Sequence, residues 1–165
     1  MSYIKNYPKH NSKIIQAIRG LLEHRATWLY LLLDEAEKRG IITEDFAKAA
    51  IIRCGCFQGD KLMTEAGTRS LKGLKKKLFT LPARMVFEMK ILTCTDDHLD
   101  IDFYYCPLVA AWQAHGAKDE QIEKLCDIAM QGDRGIASSF GCELQLGETI
   151  AKGYSKCEIR FKRPT

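Results

Sequence analysis

The chain has 165 residues, 46% of them hydrophobic and 28% charged, enough to bury a core within a single domain, and no internal repeat or low-complexity stretch breaks it. Its 25 basic and 21 acidic residues leave a net charge of only +4, poor grounds for nucleic-acid binding even though 15 of the basic side chains fall within residues 1–80. The first strongly apolar run, Trp28 to Leu33, begins too late for a secretory leader and is too short for a bilayer. Seven cysteines in such a chain point to reduced thiols, metal ligands or nucleophiles in a cytoplasmic setting, and away from a disulfide framework.

From Asn11 to Arg39 apolar residues recur at three- and four-residue spacings, which predicts a long amphipathic helix stopped by Gly40. Thr43, followed by Glu44 and Asp45, reads as the N-cap of a second helix running to about Cys54 and ending at Gly55. A third is expected over Asp60 to Phe79, ending before Pro82. Residues 1–81 are thus a helical half, and 82–165 hold the sheet.

The period then changes to two. Met85, Phe87, Met89 and Ile91 alternate with polar neighbours, as do Leu99, Ile101, Phe103 and Tyr105, with the turn residues Cys94 to His98 between them. Cys142, Leu144 and Leu146, then Cys157, Ile159 and Phe161, repeat the pattern near the end. Between the two pairs lies a helical insert: Pro107 to His115, Asp119 to Met130, and a short helix capped by Asp133 that ends at Gly141. The expectation is an α+β fold, a four-stranded antiparallel sheet with helices on one face.

Cys106 ends a strand and precedes Pro107, which suits the first position of a helix. As N-cap its sulfur would face unpaired N–H groups and the positive end of the helix dipole, conditions that lower a thiol pKa. The competing reading is a buried, inert cysteine. Cys126 and Cys157 fall on the apolar faces of their elements and could converge with Cys106, either as core thiols or as three ligands of a metal or iron–sulfur centre; separations of 20 and 31 residues match no local ligand motif. Cys54 and Cys56, beside two glycines, read as a helix C-terminal turn, and "KGLKKK" as the solvated face of a helix. Asp133 beside Arg134 could pair a general base with a carboxylate-binding cation or be an ordinary cap, and Trp112 could wall a ligand pocket or pack on the sheet. His98 and His115 stand near a turn and a helix end with no motif around them.

Taken in order, "YYCPLVAAWQAHG", "LCDIAMQGDRGIASSFG" and "ETIAKGYSKCEIRF" resemble the L-2-amino-thiazoline-4-carboxylic acid hydrolase family over about residues 85–162. The resemblance implies a hydrolase that opens a small cyclic amidine or isothiourea at a carbon–nitrogen bond. It carries catalytic candidacy to Cys106, Cys126, Asp133 and Cys157, and substrate binding to Arg134, Trp112 and Thr149. Tyr105 replaces a basic residue common in relatives, and Cys157-Glu158-Ile159 replaces Cys-Asp-Phe. The partner implied is a small-molecule substrate, with no nucleic acid and no membrane, and homo-oligomerisation is left open. Two alternatives stand: a metal or iron–sulfur protein using Cys106, Cys126 and Cys157, and a ligand-binding sensor similar to the domain associated with vinyl reductases.

Overall fold

The computed structural model describes residues 2–164. The chain forms α1 (Lys13–Lys38), α2 (Glu44–Ala66), α3 (Leu71–Leu78), α4 (Leu81–Val86), β1 (Met89–Cys94) and β2 (His98–Phe103). There follow α5 (Pro107–Ala114), α6 (Asp119–Ser139), β3 (Glu143–Leu146), a 3-10 turn (Ile150–Lys152) and β4 (Cys157–Lys162). This is the expected α+β architecture. No helix among the described residues is long and apolar enough to cross a membrane.

The strands form one antiparallel sheet in the order β1-β2-β4-β3. Alternation decides its two faces. Leu99, Ile101, Ile159 and Phe161 are buried against the helices, and Phe79 at the end of α3 stacks on Phe103 and Phe161. Each such large apolar side chain contributes about 1.5–3 kcal/mol on burial. The opposite face carries charge, held by an ion network in which Asp102, itself 2% exposed, receives Lys156 Nζ at 2.7 Å and Arg160 Nη2 at 2.8 Å.

Two expected helix boundaries are absent. Gly55 does not stop α2, which runs on through Cys54, Cys56 and Gly59 to Ala66, so the Cys54–Cys56 pair sits mid-helix and not in a C-terminal turn. Likewise α6 continues through Gly132, Asp133 and Gly135 to Ser139, so Asp133 caps nothing. The physical reason is common to both. A Cβ on Gly55 would lie 2.0 Å from the carbonyl oxygen of Gly132, one on Gly135 2.4 Å from that of Ile52, and one on Gly59 2.7 Å from Ser139 Oγ. These glycines let two helix backbones touch, a role that sequence cannot distinguish from chain termination. Pro82, expected to lie beyond a helix end, instead sits in the first turn of α4, where a proline's missing N–H costs nothing. That short helix takes Met85 out of the expected strand, which begins only at Met89. Thr43 does precede α2, but its hydroxyl donates to Glu37 Oε1 at 2.7 Å and makes no cap.

Residues 2–10 cross the end of α5 as a strap. Asn6 is buried, and its side-chain amide makes two hydrogen bonds to the backbone of Cys106: Nδ2 to the carbonyl at 2.8 Å, and Oδ1 from the N–H at 2.9 Å. Gln113 Nε2 donates to the Ile4 carbonyl at 3.0 Å, and Asp119 accepts from Ser2 Oγ and the Tyr3 N–H. Farther along, Glu88 Oε1 accepts the N–H groups of Lys9 and His10 and pairs with Arg19 at 3.2 Å. Arg19 is buried and stacks on the Tyr105 ring at 4.2 Å.

Candidate functional site

Cys106 is the N-cap of α5 and Pro107 its first residue, as the dipeptide predicts. The consequence for the sulfur is the reverse of the expected one. Burial raises its pKa above the usual thiol value; the N–H groups of Val109 and Leu108 lower it without closing a capping hydrogen bond, and the nearby Asp133 carboxylate raises it further. In this site desolvation of the charged sulfur outweighs a few partial positive charges at a helix end. Cys106 is therefore a thiol at neutral pH, not a standing thiolate.

Cys126, on α6, is held well above the ordinary value by burial, then by Cys106 and Cys157, and then by Asp127 and Asp133. Cys157 opens β4, and its thiol is pushed up to about 12 by burial and by Cys106, while the Ile150 N–H, 3.3 Å from the sulfur, opposes the rise. The three sulfurs are electrostatic neighbours under the sheet. Among the described residues no group of three His, Cys, Asp or Glu side chains is disposed to hold a metal ion. The metal or iron–sulfur centre that the sequence left open thus lacks the ligand geometry it requires.

Asp133 lies mid-helix in α6 and faces the same cluster. Burial lifts its pKa from 3.8 to about 6, against the pull of Arg25 and Arg134. A carboxyl group in that range exchanges a proton near neutrality, which is the property a general acid or base needs. Arg25, from α1, is a residue the sequence reading missed: it has no motif, and only the packing of α1 brings it beside α6. Arg134 reaches no nearer than 3.9 Å to Asp127, and its buried Nη1 has no hydrogen-bond partner.

Thr149 is 2% exposed and its Oγ1 is also without a partner, an uncommon condition for a buried hydroxyl. Its carbonyl accepts the N–H groups of Lys152 and Tyr154 and so closes the turn ahead of β4, where Gly153 takes a left-handed φ of 87°. Trp112 is placed differently. It is buried in the core, and its indole N–H donates to the Ala26 carbonyl at 3.0 Å, which ties α5 to α1. His98 pairs with Asp100 at 2.7 Å on β2, and His115 ends α5.

The site thus gathers three thiols, one carboxyl group near neutrality and two guanidinium groups, with Thr149 on the adjoining turn. In fold, the chain is similar to the crystal structure of trafficking protein particle complex subunit 3 from Naegleria fowleri covalently bound to palmitic acid. The TM-score is 0.58 at 15% identity, over 87% of this chain and 95% of that one. The comparison with curated proteins found no match. The model of one family, described as L-2-amino-thiazoline-4-carboxylic acid hydrolase, matches residues 19–161, and the chain belongs to that family.

Proposed function

We propose that the protein hydrolyses a small cyclic isothiourea bearing a carboxylate, of the 2-amino-thiazoline-4-carboxylate kind, at the ring carbon–nitrogen bond. The observation that carries the reading is the pairing of Asp133, poised at about 6, with the partly buried Cys106 thiol beside Arg25 and Arg134. In this reading the two guanidinium groups hold the substrate carboxylate. Asp133 takes the Cys106 proton as the sulfur attacks the amidine carbon, then gives it to the departing ring nitrogen. A water molecule, deprotonated by Asp133, next attacks the same carbon; the bond to Cys106 breaks and the thiol is restored. The raised thiol pKa suits this sequence, because deprotonation is then confined to the moment of attack. Seven free cysteines fit work in a reducing cytoplasm.

The test is incubation with L-2-amino-thiazoline-4-carboxylate and mass spectrometry for addition of one water. Cys106→Ala and Asp133→Asn are each expected to lower kcat/KM at least about 100-fold. Near-wild-type turnover in Cys106→Ala excludes the covalent route, and no product from the unmodified protein excludes the hydrolase reading. The elevated pKa of all three thiols favours one competing role, ligand binding without turnover, which would show as thermal stabilisation by the thiazoline with no product.

A further inference from the structure

A second concave site shares no lining residue with the cysteine cluster. It is a cleft of about 400 Å³ between the strap, α4 and the start of β1, within the size range of small-molecule sites. Its apolar floor is Leu81, Met85 and Met89, with the Tyr104 ring along one side. Leu81 and Met85 are exposed there. Two cations reach the same space: Lys9, whose ammonium lies 5.9 Å from the Tyr104 ring centre, and Arg84.

The polar groups of this cleft are unevenly satisfied. Glu88, its one carboxylate, already accepts the Lys9 and His10 N–H groups and the buried Arg19, at a left-handed φ of 52° that side chains other than glycine rarely adopt. Arg84 Nε, by contrast, is buried with no hydrogen-bond partner. Neither Lys9 nor Arg84 has a carboxylate within 4 Å among the described residues. The carboxylate is spent internally, and both cations remain uncompensated above an apolar floor.

We propose that this cleft binds a small organic anion with a flat apolar body, an aromatic carboxylate being the simplest form, at a site distinct from the cysteine cluster. The carboxylate takes the Arg84 guanidinium and the Lys9 ammonium, and the ring lies on Met85 and Met89 beside Tyr104. The site rests on none of the residues assigned to hydrolysis, so it stands or falls separately from that reading.

The experiment uses the full chain with methyl-labelled methionine and follows the methyl resonances during titration with 2-naphthoate, and in parallel with the neutral 2-naphthamide. Saturable shifts of Met85 and Met89, but not of Met63 or Met130, with naphthoate and not with the amide, are the expected result. Arg84→Gln should weaken binding about tenfold or more. Lys9→Gln, on the exposed strap, supplies the same comparison should the arginine variant fold poorly. Unmoved Met85 and Met89 resonances, equal response to the amide, or affinity unchanged in the charge variants would each overturn the proposal.

Discussion

A carboxyl group whose pKa rises from 3.8 to about 6 on folding binds its proton more tightly in the folded chain than in the unfolded one. Stability from Asp133 is therefore fully present below the unfolded value and declines as pH climbs from 3.8 toward 6, above which the buried charge is a standing cost. The gap corresponds to about 3 kcal/mol at most. Asp133→Asn should accordingly be more stable than the wild type at pH 7, by about 1–3 kcal/mol, and equal to it near pH 3.5, measured by urea unfolding at the two pH values. A variant that lost stability at pH 7 would mean the carboxylate is held by interactions that outweigh its desolvation. At this scale the sequence revealed identities better than states. Cys106 could be placed at a cap because Cys-Pro after an alternating run is a local signal. The pKa of its sulfur could not be read, because burial is supplied by α6, β4 and the strap, all remote in sequence.

Among the elements, the pairing of α2 with α6 is controlled by atoms that are missing. Gly55→Ala must push its new methyl group away from the Gly132 carbonyl or separate the helices, and should destabilise by about 2–3 kcal/mol or more. Gly20→Ala provides the contrast: nothing lies within 4 Å of the added Cβ on the exposed side of α1, and the helix should gain about 0.5–1 kcal/mol. Chemical denaturation of the two variants distinguishes a packing glycine from a dispensable one, and equal effects would refute the distinction. The same residues explain where periodicity misled. Hydrophobic spacing located α1 and three of the four strands, and placed the first strand four residues early, since amphipathic surfaces leave a regular trace. Gly55 and Pro82 read as punctuation in the sequence, whereas the first is a contact surface between helices and the second opens a helix.

For the whole molecule, the strap joins the first residues to the middle of the chain, an association invisible to any local pattern. Asn6 alone contributes two hydrogen bonds that fasten it over Cys106. Asn6→Ala should loosen that cover and raise the rate of Cys106 alkylation by iodoacetamide about tenfold, read by peptide mass spectrometry with the exposed Cys54 as internal reference. An unchanged ratio would show that the strap does not govern access. The order of the strands was legible as two hairpins flanking an insert; that β4 enters between β2 and β3 was not, since pairing across the insert is settled by packing. The helix contact has one more consequence. Asp133 follows Gly132, whose carbonyl faces Gly55, and precedes by two residues Gly135, where an added Cβ would lie 2.4 Å from the Ile52 carbonyl, so the carboxyl proposed to move the proton inherits its position from a helix contact that tolerates little change at Gly55 and Gly135. On the proposed hydrolase reading, relatives acting on different rings should keep Gly55 and Gly135 and differ at Arg25 and Thr149, which lie on other elements.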